Sequence, residues 1–127
     1  MRRVSIHLPG HAHANPIPAA ARVGNMLVSG LISGTDPATG RPGQTLGEQA
    51  EFMFAQLGRI LAAAGATPGD VVKVTVWITD RSQRGAINPA WLAMFPEPAS
   101  RPARQTMHAE LDDGKLVQCD VIAVLPP

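Results

Sequence analysis

Apolar and polar residues alternate with two different periods along this chain, and the changes of period mark its elements. Near the start, "RVSIHL" (residues 3–8) reads as a strand, followed by the irregular "PGHAHANPIPAA". In "RVGNMLVSGLI" a turn is expected at Gly24-Asn25, with a strand through Met26 to Ser29. "SGTDPATGRPGQ" is loop by composition. The period then lengthens. Apolar residues recur at Leu46, Ala50, Met53, Leu57, Ile60, Leu61 and Ala64, a helical stripe. Thr45 and Glu48 before it have the spacing of a capping box, in which each side chain satisfies the other residue's free amide. Gly65 stands where a left-handed residue ends a helix, and Pro68 prevents its continuation.

The short period returns in "DVVKVTVWITD", where Val72, Val74, Val76 and Ile78 alternate with Lys73, Thr75 and Thr79 and predict one buried face. Trp77 interrupts the polar side and is expected to meet a second surface. "INPAWLAMFPEP" predicts a short helix, with Pro89 in its first turn and Trp91, Met94 and Phe95 on one face. Finally "ARQTMHAEL" and "LVQCDVIAVL" flank "DDGK", and Asp113-Gly114 predicts a hairpin joining them. Strands, helix, strand, helix, hairpin make an α+β domain with its helices on one sheet face. The other face is rich in valine and poor in charge, so part of it is expected to be covered by oligomerisation.

A chain of 127 residues is long enough for one domain, 1–127, with a genuine core, and its 45% apolar and 17% charged residues are those of a globular protein. A formal net charge of +1 and the absence of tyrosine give no reason to expect a nucleic acid or an anionic membrane as partner. The single cysteine, Cys119, rules out an intramolecular disulfide framework and suits a reducing compartment. "MRRVSIHLPG" carries paired arginines in the manner of a leader, but His7, Pro9, His11, His13 and Asn15 interrupt any apolar segment. The expectation is a cytoplasmic protein.

Arg104 opens a strand that must bury one face, an unusual place for a permanent charge. Its planar fork of donors matches a carboxylate, and the plain alternative is an ion pair with Glu110, Asp112 or a partner subunit. Asp120 lies inside the apolar run "VQCDVIAV", where a carboxylate is costly unless paired or functional. Gln118, two residues earlier, projects from the same face, and the two together could hold a water; a salt bridge closing the hairpin is the alternative. A two-residue turn at Asp113-Gly114 puts Arg104 opposite Ala123 and on the other face from Asp120. A three-residue turn or a bulge puts it on the same face. His11 and His13 lack a third ligand, so no metal is expected, and Cys119 is expected in the core. No phosphate-binding loop, zinc-protease motif or nucleophile elbow occurs.

The fragments "RVGNMLVSGLI", "DPATG", "AAAGATPGDVVKVTVWITD", "NPAWLAMF", "RPARQTM" and "VQCDVIAV" resemble, in order and spacing, the reactive intermediate deaminases of the RidA/YjgF family. The resemblance covers nearly the whole chain. It implies a chorismate-mutase-like α+β fold, with one mixed sheet, two helices on one face and a trimeric barrel assembly whose three sites lie between subunits. It also implies hydrolysis of enamines or imines of 2-amino acids, such as 2-aminoacrylate, to ammonia and a 2-oxo acid, with no metal or organic cofactor. On this resemblance Arg104 clamps the substrate carboxylate, and Ser29, Gly30, Asn88 and Thr106 line the pocket. The family's water-positioning glutamate falls on Gln118, a pocket tyrosine falls on Ile17, and a second family acid falls on Asp120. Asp120, helped by Gln118 and backbone carbonyls, is then expected to orient water toward the imine carbon. A non-catalytic trimer holding a small carboxylate through Arg104 is the competing expectation. An endoribonuclease, an activity attached to the family by name, fits poorly with the near-neutral charge and scarce aromatics.

Overall fold

The computed structural model describes residues 2–9 and 15–127; His11 and His13 lie outside the described residues. Seven strands form one mixed sheet: β1 (Val4–Ile6), β2 (Ala20–Val23), β3 (Met26–Ser29), β4 (Ile32–Ser33), β5 (Val71–Ile78), β6 (Ala103–His108) and β7 (Val117–Val124). Among the described residues two α-helices, α1 (Leu46–Ala63) and α2 (Asn88–Met94), accompany them. The spatial order is β1-β2-β3-β7-β5-β6, with β4 also pairing with β7.

The first helix forms as its stripe predicts. All seven stripe residues are buried, joined by Phe54 and Gln49. The cap differs from a reciprocal box. The Thr45 hydroxyl accepts from the Glu48 amide at 3.1 Å, but the Glu48 carboxylate accepts from Gln44, one residue earlier, at 2.9 Å. Gly65 takes the left-handed conformation, φ +74°, that terminates the helix. Gly34 is required for another reason: a Cβ there would lie 2.2 Å from the Gln49 carbonyl oxygen, so only glycine lets the β4 loop pass this close to α1.

The expected C-terminal hairpin does not form. Strand β5 lies between β6 and β7, parallel to the first and antiparallel to the second. A parallel neighbour needs a crossover, and residues 79–102 supply it: a 3-10 stretch (Arg81–Ile87), α2 and the turns after it. The turn chemistry at Asp113-Gly114 was legible, since both residues have positive φ (56° and 74°). The turn, however, sits within the longer connection from His108 to Val117 and joins strands that do not pair. The β5 run won the central place because its residues can be buried from both sides: Val74, Thr75, Val76 and Ile78 are all buried. Val72, expected on the buried face, is exposed, because a bulge between Val71 and Lys73 shifts the register there.

Register sorts the side chains into two faces. Val117, Cys119, Val121 and Ala123 of β7 pair across β5 and β3 with Ile78, Val76, Val74 and Leu27, and all are buried on the helix side. On the opposite, helix-free face lie Gln118, Asp120 and Ile122, beside Trp77, Thr75 and Val28. Met26, Val28, Met107 and Val124 are exposed on that face, an apolar surface within a single chain.

Candidate active site

Arg104 belongs to the helix side, for it pairs with Val74, which pairs in turn with Val121. At an edge strand this direction carries the side chain past the core onto α2. Its Nη1 donates to Asn88 Oδ1 at 3.0 Å, and Nη2 reaches the Arg84 carbonyl at 3.5 Å, the outer limit of a bond. Its Cζ lies 5.1 Å from the centre of the Trp91 ring, within cation–π range. Trp91 is itself fixed edge-on against Phe95, with centroids 4.8 Å apart. None of these partners is a carboxylate. Burial lowers the guanidinium pKa, yet the group remains a cation at any biological pH. The second sequence-predicted residue on this side, Thr106, pairs with Val76 and is half-buried.

The acid lies elsewhere. Asp120 pairs with Thr75 and Gln118 with Trp77, so both project from the helix-free face. Asp120 Oδ2 accepts from the Trp77 indole at 2.6 Å, and Gln118 Nε2 donates to the Ser33 hydroxyl at 2.8 Å. With Leu31, Glu110, Lys115 and Trp77 they line an open groove of about 630 Å³. The sheet therefore brings Arg104 together with Asn88, and Asp120 with Gln118, but holds the two pairs on opposite faces. This is the outcome expected of a two-residue turn, reached by a different topology.

Ser29 is spent on the sheet. Val28 pairs with Ile122 and Ile32 with Cys119, so the strand between carries one extra residue, and the displaced Val121 amide donates instead to Ser29 Oγ at 2.9 Å. Gly30 donates its amide to the Ala19 carbonyl, and Ile17 is an exposed side chain. Cys119 is fully buried on the helix side; burial, and secondarily the Asp120 charge, push its thiol far up, so it is not a nucleophile. Sequence reasoning missed Ser33 and the Trp91 stack; Trp77 was marked only by its break in the polar alternation. No group of three His, Cys, Asp or Glu side chains that could hold a metal occurs among the described residues, and no described helix is long and apolar enough to cross a membrane.

The sequence profile of the family described as Endoribonuclease L-PSP matches residues 11–125. The chain belongs to the RidA/YjgF family. Members similar to it include the 2-iminobutanoate/2-iminopropanoate deaminase of Mus musculus, 34% identical over 131 residues that span 100% of this chain and 94% of that protein. The protein of the same description from Salmonella typhimurium is 30% identical over 115 residues, 89% of this chain and 90% of that one. Among solved structures, RidA from an Antarctic Psychrobacter superposes with a TM-score of 0.87 at 30% identity, covering 96% of this chain and 99% of that chain. The α+β architecture, with a mixed sheet and two helices on one face, is thus the fold of this family.

Proposed function

We propose that the chain is a cofactor-independent hydrolytic deaminase of reactive enamines and imines related to 2-aminoacrylate, working as a homotrimer with its sites between subunits. The observation that carries this reading is the Arg104 guanidinium. It is half-buried, aligned by Asn88 and backed by Trp91, while its hydrogen-bond partners among the described residues include no carboxylate. Of five N–H donors, two are engaged among the described residues, leaving a fork for a small acid.

The placement of the remaining residues supports assembly. One chain cannot bring Arg104 and Asp120 to one substrate, because the sheet separates them. A second copy packed on the apolar helix-free face can supply its own Asp120 and Gln118 to the first copy's Arg104. In that cleft Arg104 and Asn88 hold the substrate carboxylate beside the imine carbon. A water bound by Asp120 and Gln118 attacks the carbon of the protonated imine: the C–O bond forms, the C=N π pair moves to nitrogen, and Asp120 takes one of the water's protons. Asp120 returns that proton to the carbinolamine nitrogen; the C–N bond then breaks with its pair going to ammonia, the hydroxyl O–H pair closes the C=O of the 2-oxo acid, and the hydroxyl proton passes to solvent. Imines hydrolyse in water unaided, so positioning the water is a sufficient contribution.

Gln118 favours a second reading, a trimer that binds a small carboxylate without turning it over, since an amide is no base. One experiment separates the two: ammonia release from imino acids generated in situ by an amino-acid oxidase, compared between the native protein and Arg104→Ala. The deaminase reading predicts acceleration that Arg104→Ala abolishes. Binding of 2-oxo acids without acceleration decides for the second reading.

A further inference from the structure

The deaminase reading asks Asp120 to present one oxygen to the groove at a fixed angle, and a carboxylate on a strand does not hold such an angle unaided. We propose that Trp77 is the positioning residue for Asp120, its indole N–H tying down one carboxylate oxygen so that the other faces the water. This inference rests on the proposed function and adds to it the device by which the chain works with glutamine at position 118.

The register explains how the contact arises. Trp77 pairs directly with Gln118, and Asp120 pairs with Thr75, so Trp77 and Asp120 are diagonal neighbours. Such neighbours are within reach only of long or aromatic side chains. Trp77 Nε1 meets Asp120 Oδ2 at 2.6 Å, just under the usual span of an N–H···O bond and so a close contact. An indole N–H donates and never accepts, so this contact has one polarity and cannot invert. A phenylalanine or valine here would fill the same wall of the groove and leave the carboxylate free to turn.

The second oxygen is accounted for as well. Every buried side-chain polar atom among the described residues has a hydrogen-bond partner. Asp120 Oδ1 has no partner among them, so it is open to solvent, in the groove that Asp120 lines. Gln118 is held similarly, its Nε2 on the Ser33 hydroxyl and its Oε1 accessible. Two fixed acceptors, one charged and one neutral, stand two residues apart on one face. A water donating to both keeps a lone pair for the electrophile, and the charged acceptor is the one able to take its proton.

The test is a cycle of Trp77→Phe, Asp120→Asn and both together, with chemical denaturation and size measurement confirming that each variant folds and assembles. Trp77→Phe keeps a ring in the wall and removes only the donor and part of the bulk. It is expected to lower kcat about tenfold, the scale of a misplaced acid–base group, with KM changed less than about twofold. In the Asp120→Asn background the same change is expected to cost nothing further. A second readout does not depend on turnover. The chain has two tryptophans, so the indole N–H region of a ¹H–¹⁵N spectrum holds two signals. The Trp77 signal is expected downfield and moves upfield in Asp120→Asn, while the Trp91 signal stays in place. Native kcat in Trp77→Phe, equal losses with and without Asp120, or a Trp77 signal indifferent to Asp120→Asn overturns the inference. If these occur while Arg104→Ala still abolishes ammonia release, the deaminase reading stands and this inference alone fails. If the native protein gives no acceleration, both fall.

Discussion

Replacing Arg104 by lysine keeps the charge and removes the fork, so it isolates what the guanidinium's shape contributes. In the native arrangement Asn88 aligns the group from one side at 3.0 Å and the Trp91 ring backs it at 5.1 Å, so the remaining donors project as a plane. An ammonium on a flexible stem offers one directed bond to a carboxylate where the fork offers two, and it lacks a flat face to lie on the ring. Losing one charge-assisted hydrogen bond costs about 1.5–3 kcal/mol. At about 1.4 kcal/mol per decade, KM should rise roughly 10- to 100-fold. The carboxylate is a spectator in the hydrolysis, held alike in ground and transition states, so kcat should change little. The assay is oxidase-coupled ammonia release at varied imine flux, with calorimetric titration of pyruvate as an independent measure of the anchor. A lysine variant whose KM and pyruvate affinity stay within twofold of native would show that charge alone suffices, and the geometric argument for Arg104 would be wrong.

Three further outcomes follow from other parts of the molecule. Gln49 is 1% exposed, and its amide donates to the Gly43 and Gly114 carbonyls and accepts from the Leu116 amide. Gln49→Leu strips all three bonds and should cost about 2–4 kcal/mol in denaturant unfolding, with fast hydrogen exchange at Leu116 as its local signature. The Asp80 carboxylate, bonded by the Ser82 hydroxyl and amide, titrates below its ordinary 3.8. Its contribution is therefore complete above that value and is lost as pH falls through the lowered pKa. The 3-10 stretch carrying Arg84 should loosen in that acid range, measured by amide exchange, and Asp80→Asn should remove the dependence. Cys119, buried and with its thiol raised by that burial, should ignore thiol reagents in the folded protein and react fully in denaturant.

The elements were more legible than their arrangement. Helix α1 announced itself because seven stripe positions, a cap and a terminating glycine are local signals that agree. The central strand was recognised, but its neighbours were not. Alternation tells which residues share a face and is silent on which strand lies alongside, since pairing is decided by burial across the whole sheet. That is why a genuine Asp113-Gly114 turn misled: its two positive φ values fit a hairpin, while the valine-rich β5 claimed the place between the flanking strands. For the proposed site, a charge opening a strand pointed to Arg104, and a carboxylate inside an apolar run pointed to Asp120. Their partners Trp91 and Trp77 read from sequence as core and as a break in pattern. Ser29 illustrates the opposite case, a pocket residue by resemblance whose hydroxyl in the chain repairs a bulge at Val121.

In the proposed assembly each site takes its cation from one subunit and its acid from another. Arg104→Ala and Asp120→Asn, each strongly impaired alone, should be unfolded together in equal amounts and reassembled. In randomly mixed trimers about a quarter of the clefts then pair an intact Arg104 with an intact Asp120 from a neighbour, and roughly a quarter of native ammonia release should return. A mixture no more active than its parents, although mass spectrometry shows mixed trimers, would contradict the account.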